Sequence, residues 1–533
     1  MSNNGMMTVT GQHGMVTAPH FLASEAGLSV LRDGGTAAEA SVAVAACLAV
    51  VYPHMTGIGG DGFWLMAEPD GRVHAVHGCG GAAVAADLAL YAGLATVPFR
   101  GPLAANTVAG AISAWEAVLA GGGQMPLSRL LRDAIGHAEA GVAVTVGAAA
   151  IAAAKGAELR GQPGAYGTIF EPAGRPLQVG DMLRQPALAE TLRTLAADGL
   201  DGFYRGALAG RIAQDLAALG SPVAADDLAA HRATRPAPLH VGIDGARLYN
   251  SAPPTQGFAS LVILALFDRL AAAGSGGTVD GFDHVHGLIE ATKQAFLLRD
   301  AHVGDPAYAA FDFQALLDDP AALDALAAAM DPARALPWPQ PPQWGDTCWF
   351  AVADSAGRVA SCIQSTYFEF GSGLVLPQTG ITWQNRGSSF RLAAGGWNAL
   401  RPGRKPFHTL NPALARFDDG RVMAYGTMGG EGQPQTQAAL FSRYAYFGVD
   451  LQTCISRPRW LLGRTWGEAS TTLKLEDGFD PALYAALAAA GHDVERVGPI
   501  TATMGHAGAI VRHADGRMEG ATDPRSDGRV AAW

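Results

Sequence analysis

The stretch "TCWFAVADSAGRVASCIQS", Thr347–Ser365, holds two apolar runs joined at Asp354-Ser355-Ala356-Gly357. Strand-forming residues on either side of a glycine-bearing turn predict a β-hairpin with cysteine and serine near its close. A proline-crowded segment, "RALPWPQPPQWGD" (Arg334–Asp346), runs into it with no turn between. A linker that ends on a threonine and passes directly into a strand divides the chain into 1–346 and 347–533. The first part reads as mostly helical and the second as strand-rich. "GFWLMAE" (Gly62–Glu68), before the linker, and "CWFAVAD" (Cys348–Asp354), after it, have the same texture and are expected to share one layered core with helices outside.

The 533 residues are 49% hydrophobic and 16% charged, which supplies an extensive core and excludes a disordered chain. Length alone allows three or four domains at about 150 residues each. A net charge of -11, with no clustered Lys and Arg, argues against nucleic-acid or anionic-membrane partners. The first twenty residues have neither a charged start nor an apolar run of about 7–15 residues, so a cytoplasmic location is expected. Five scattered cysteines without CxxC spacing favour buried thiols over disulfides or zinc.

"PHFLASEAGLSVLRDGG" (Pro19–Gly35) predicts a helix with a glycine stop. Thr36 and Glu39 have capping-box spacing ahead of "ASVAVAACLAVV" (Ala40–Val51), which is too short to span a bilayer and reads as a buried helix ending at Tyr52-Pro53. Further helices are expected between Leu127 and Leu219, near Phe258–Ala273 and over His284–Arg299. Strands are expected in Leu410–Phe417, Arg421–Gly430 and Ala507–Ser526.

Gly57-Ile58-Gly59-Gly60-Asp61-Gly62 fits GxGxxG, but a helix precedes it and a strand follows, the reverse of a dinucleotide site. Its glycines are expected to let backbones approach closely. HExxH, GxxxxGK[ST] and GxSxG are absent. His284 and His286 form a local pair that reads as structural without a third donor, and His54 reads as a core histidine. Thr347 remains. A threonine hydroxyl needs a base, and a chain's own α-amine is one when the threonine is first in that chain. That chemistry requires cleavage of Asp346-Thr347.

With these residues in place, the sequence resembles the γ-glutamyltransferase family of N-terminal nucleophile hydrolases over nearly its whole length. Six segments carry the resemblance in order: Thr17–Phe63, "GPLAANTVAGAISAWEAVL" (Gly101–Leu119), "GDTCWFAVADSAGRVAS" (Gly345–Ser361), "FGSG" (Phe370–Gly373), "GTMGGEG" (Gly426–Gly432) and "GATDPRSDG" (Gly520–Gly528). The resemblance implies an α+β fold of four αββα layers. It implies a precursor cleaved at Asp346-Thr347 into large and small subunits that form one core, with a dimer of these heterodimers left open. Thr347 would act in both maturation and turnover. Ser365 falls where the family has a hydroxyl that supports the threonine amine, and Gly429 and Gly430 fall at its oxyanion hole. No cofactor is implied.

The departures concern the amino-acid clamp. The family's "FRE"-type arginine is replaced by Gly78 in "VHGCGG", an Asn by Tyr367, the Gln and Asp of "NNQMDD" by Arg386 and Ser389, and a Ser-Ser pair by His408-Thr409. A zwitterionic γ-glutamyl group loses its grips, whereas Arg386, with Tyr367, His408 and Thr409, suits a small anionic acyl group. These replacements resemble an oxamate-hydrolysing cytoplasmic subgroup of purine breakdown that releases ammonia. The alternatives are a γ-glutamyltransferase or glutathione hydrolase, a cephalosporin-type acylase, and an unprocessed binding or structural protein.

Overall fold

The computed structural model describes residues 6–338, 346–463 and 470–533. The core of the expected linker, residues 339–345, lies outside the described residues. Two antiparallel sheets form the centre. One has six strands in the spatial order Arg529–Ala532, Gly14–Ala18, Asp346–Asp354, Val359–Tyr367, Asp61–Ala67, Val73–Gly78. The other has seven, ordered Val9–Gly11, Met518–Thr522, Ala507–Arg512, Val422–Thr427, Ala413–Phe417, Ala246–Asn250, Leu239–Ile243.

Alternation along each strand sorts its side chains between two cores. In Asp346–Asp354, Cys348, Phe350 and Val352 face a cluster of helices, while Trp349, Ala351 and Ala353 face the second sheet. Phe63, Leu65 and Ile363 meet Leu414, Ala424 and Ile510 in that inter-sheet layer. The seven-stranded sheet turns Leu248, Ala415, Met423 and Val511 to its own helices, among them Gly257–Ala272 and Phe282–His302. Helices therefore cover both outer faces, and the four αββα layers are realised.

The expected hairpin is present: Asp346–Asp354 pairs with Val359–Tyr367, and that strand pairs in turn with Asp61–Ala67. The two strands that follow the linker thus sit between Gly14–Ala18 and Asp61–Ala67, so segments from both sides of Thr347 interleave in one sheet. Trp349 locks the layers. A Cβ added at Gly426 would lie 2.3 Å from its Nε1, and one at Gly508 2.5 Å from its ring, so two glycines opposite form the slot for the indole. Burying an indole of about 150–250 Å² at about 25 cal/mol per Å² contributes about 4–6 kcal/mol. This clamp stands two residues from Thr347.

The buried helix spans Ala37–Val51, three residues longer at its start than the apolar run. Its capping box forms: Glu39 N donates to Thr36 Oγ1 at 3.3 Å and Thr36 N to Glu39 Oε2 at 2.8 Å. Glycines of the Gly57–Gly62 turn permit close backbone approach, as expected: a Cβ on Gly60 would lie 2.1 Å from Ser365 O, and one on Gly59 2.4 Å from Thr382 O. All five cysteines are buried. No helix among the described residues is long and apolar enough to cross a membrane.

Candidate active site

Three neighbouring strands place three polar side chains in a row on the inter-sheet face. Thr347 shares the parity of Trp349, Ser365 that of Ile363, and Asp61 that of Phe63, and Ser365 pairs directly with Asp61 in the ladder. All three are buried, in a layer that is mostly apolar. Ser365 Oγ accepts from Tyr367 N at 2.7 Å, which fixes the irregular end of its strand. There Tyr367 holds φ of +85°, a left-handed conformation costly for a tyrosine, and its ring lies under Arg386 with the guanidinium carbon 3.8 Å from the centroid.

The facing wall comes from the loop after Val422–Thr427 and the helix Gly432–Ala445. Gly429 and Gly430 hold φ of +126° and +51°, open to glycine and strained for other residues. Gly429 O accepts from Gly432 N at 2.8 Å, so Gly429 C=O points into the helix and the Gly430 N–H, opposite it across a trans peptide, points away. From the first helical turn, Gln433 Nε2 donates to Thr347 Oγ1 at 2.9 Å while its Oε1 accepts from Asn411 N at 3.3 Å. Gln256 Nε2 donates to both Gly430 O and Thr409 O at 2.8 Å. Its Oε1 accepts from Arg299, which also binds Glu431 at 2.7 Å. One buried Arg299–Gln256 unit therefore ties the glycine loop to the segment carrying His408 and Thr409.

Arg386 is completely buried, and only Nη1 finds a hydrogen-bond partner, Thr409 Oγ1 at 3.4 Å. Its Nε and Nη2, the edge that grips a carboxylate side-on, have none. Both ring nitrogens of buried His408 and Asp61 Oδ2 are also without hydrogen-bond partners. His408 Nε2 stands 3.4 Å from Asp61 Oδ2, outside hydrogen-bond geometry. Asp61 Oδ1 accepts from Gly110 N at 3.0 Å and Gln384 Nε2 at 3.2 Å. Burial pulls the Arg386 guanidinium down to about 10, and burial beside that cation holds the His408 imidazole well below its ordinary range. Such unpartnered polar groups in a dry interior are expensive unless a ligand completes them.

The structure thus brings together Thr347, Ser365, Tyr367, Arg386, His408, Thr409, Gly429 and Gly430. Ser389 is set apart: its Oγ donates to Phe407 O at 3.3 Å. Gly78 cannot carry a gripping side chain, because a Cβ there would lie 2.3 Å from Gly110 O. Asp61, Gln256, Arg299, Glu431 and Gln433 were not singled out in the sequence. Asp61 hid inside a glycine turn read for its glycines, and the glutamines and Arg299 meet the site only through tertiary contacts.

His286 gains the third donor that the sequence left missing, since His286, Glu290 and His492 bring ligand atoms within 4.8 Å of one another. Those atoms already serve one another. His286 Nδ1 meets His492 Nε2 and its Nε2 meets Asp331 O, both at 2.9 Å. Glu290 accepts from Lys293 Nζ and Leu336 N. A lysine ammonium at 2.8 Å from Glu290 Oε1 makes this a hydrogen-bond network and opposes a cation there. His284 is structural, bonded to Ser442 Oγ and Asp280 N.

Residues 23–533 match the gamma-glutamyltranspeptidase family model. The chain is 55% identical over 526 residues to the oxamate amidohydrolase proenzyme of Klebsiella pneumoniae, with 98% of both chains covered. It is 40% identical, with the same coverage, to the glutathione hydrolase-like YwrD proenzyme of Bacillus subtilis. A solved cephalosporin acylase from Bacillus halodurans superposes with a TM-score of 0.91 at 32% identity, over 100% of this chain and 98% of that one. The chain belongs to the gamma-glutamyltranspeptidase family and is an amidohydrolase of the N-terminal nucleophile fold.

Proposed function

We propose that the protein is an autoprocessing threonine amidohydrolase whose substrate is a small carboxylate-bearing amide of the oxamate kind. Cleavage of Asp346-Thr347 yields subunits 1–346 and 347–533 and frees the Thr347 α-amine. That amine takes the proton of Thr347 Oγ1 as the oxygen attacks the amide carbonyl. The N–H groups of Gly429 and Gly430 hold the oxyanion, where one donor is worth about 3 kcal/mol of barrier. Collapse of the intermediate returns the proton to the leaving nitrogen as ammonia, and water then cleaves the acyl-enzyme, so oxamate and water give oxalate and ammonia. Ser365 supports the amine, Gln433 orients Oγ1, and Tyr367 and Thr409 brace Arg386.

The observation that carries the substrate class is the unpartnered Nε/Nη2 edge of buried Arg386. A planar anion meets that edge with two parallel charge-assisted bonds. The name of the Klebsiella pneumoniae relative supports a two-carbon acyl group. The lack of space for any side chain at Gly78 weighs against a γ-glutamyl clamp. Offering oxamate, a γ-glutamyl anilide and a glutaryl amide to the processed protein tests this reading. Ammonia from oxamate with little release from the other two is expected, and preferred release from the γ-glutamyl anilide overturns it.

A further inference from the structure

Arg386 is the intended grip for an anion, yet a carboxylate, Asp61, already stands in its pocket. In the empty site the charges balance: Arg386 is positive, Asp61 negative, and His408 neutral between cationic neighbours. A carboxylate arriving on Arg386 adds a negative charge to a fully buried site, which is costly without compensation. The group that can release the pocket from that charge must feel the Arg386 cation and have an oxygen free to take a proton. Asp61 meets both conditions: its carboxylate lies within the field of Arg386, and its Oδ2 is without a hydrogen-bond partner, 3.4 Å from His408 Nε2.

We propose, resting on the functional reading above, that Asp61 determines specificity by making the site accept a carboxylate only together with one proton, which is taken from solvent onto Asp61 Oδ2. The balance is simple. The ligand enters as an anion, Asp61 changes from carboxylate to carboxylic acid, and the pocket's net charge is unchanged. The new O–H is a hydrogen-bond donor that the empty site lacks at Oδ2. A ligand lacking a negative charge gains nothing from this exchange and leaves the Arg386 edge and Asp61 Oδ2 as they stand in the empty site, without hydrogen-bond partners.

The surroundings direct the proton to Asp61. His408 faces Arg386, His77 and Lys405, all of which disfavour an imidazolium. Asp61 itself faces Arg386 and His408, with Gln384 and the Gly110 amide on Oδ1, the Gly80 amide against the carboxylate, and buried Cys79 and Tyr204 nearby. Burial raises the Asp61 carboxyl to about 7, opposed by the Arg386 charge, so both protonation states lie within reach near neutrality. A bound anion, by screening Arg386, moves it further up. The freed Thr347 α-amine is the other group of the site that ordinarily titrates at about 7.7–8.0, and the Asp61→Asn comparison separates its uptake from that of Asp61.

The test titrates glycolate, a monoanion with no amide to cleave, into the processed enzyme by calorimetry in two buffers of different ionisation enthalpy. Wild type is expected to take up about one proton per glycolate at pH 8 and few at pH 6, and Asp61→Asn none at either. Asn keeps the Oδ1 acceptor, so its fold is supported. In turnover of oxamate, the wild-type KM is expected to rise about tenfold per pH unit above 7, whereas the Asp61→Asn KM stays flat and falls below that of wild type at pH 8.5. Proton uptake that persists in Asp61→Asn places the proton elsewhere, on the Thr347 α-amine or His408, and overturns the inference. So does glycolate binding without uptake in wild type, or no glycolate binding. Failure of wild type to release ammonia from oxamate sinks the substrate reading alone, because the glycolate titration is decided independently of turnover.

Discussion

Replacing Arg386 with methionine separates what the guanidinium does for the substrate from what it does for the fold. In the empty protein the side chain has one long bond to Thr409, a tyrosine face and a distant carboxylate, poor compensation for a buried charge. A carboxylate on its Nε/Nη2 edge adds two charge-assisted bonds at about 1.5–3 kcal/mol each. With non-additivity, a loss of about 3 kcal/mol is expected, or about 150-fold in kcat/KM at 1.4 kcal/mol per decade. The assay is ammonia release from oxamate and from oxamide, its neutral amide analogue, by wild type and Arg386→Met. Oxamate turnover is expected to fall by that factor and oxamide turnover by less than about fivefold. Methionine fills much of the same volume without charge, so thermal stability is expected to hold or rise. Equal losses for the two amides would refute the anchoring role, and a Tm several degrees lower would refute the view that the charge is under-compensated.

Gln433→Ala removes the donor to Thr347 Oγ1 and is expected to slow both maturation and turnover by about tenfold, followed by gel and by ammonia release, since one such bond is worth about 1 kcal/mol or more. Gly426→Ala drives a methyl into the Trp349 slot and is expected to cost about 1–3 kcal/mol in denaturant unfolding, with Trp349→Phe partly restoring it. Asp523, buried against Arg459 and Arg525, has its carboxyl lowered to about 2 from 3.8 by those cations. A depressed carboxylate contributes stability above its unfolded value that is lost as pH falls through the folded one, so melting is expected to worsen from pH 3.8 toward 2, and less so in Asp523→Asn.

The fold was legible where local chemistry and tertiary role coincide. The Thr36–Glu39 box is a short-range device, and the helix it starts is buried nearly all round, in keeping with its unbroken apolar run. The hairpin at Asp354–Gly357 needed only turn residues between apolar strands. Close backbone approach at Gly59 and Gly60 was legible as glycine content, although the partners, Thr382 and Ser365, were not. What stayed hidden is the support of the site. Gln256 reaches Gly430 across 174 residues of chain and Arg299 reaches Glu431 across 132, with no periodicity or spacing to announce them. Asp61 and Arg386 are chemically ordinary until the fold buries both completely. Only then does their charge balance become a property of the site.

The central claim is that Thr347 is at once the cleavage point and the nucleophile. Its most direct measurement is intact mass and amino-terminal sequencing of the purified wild-type chain and of Thr347→Ala. Wild type is expected to resolve into two fragments from a 54.9 kDa precursor, the second beginning Thr347-Cys348-Trp349, while Thr347→Ala stays whole and inactive. An active wild-type chain that remains at 54.9 kDa, or a Thr347→Ala protein that still releases ammonia, would contradict the claim.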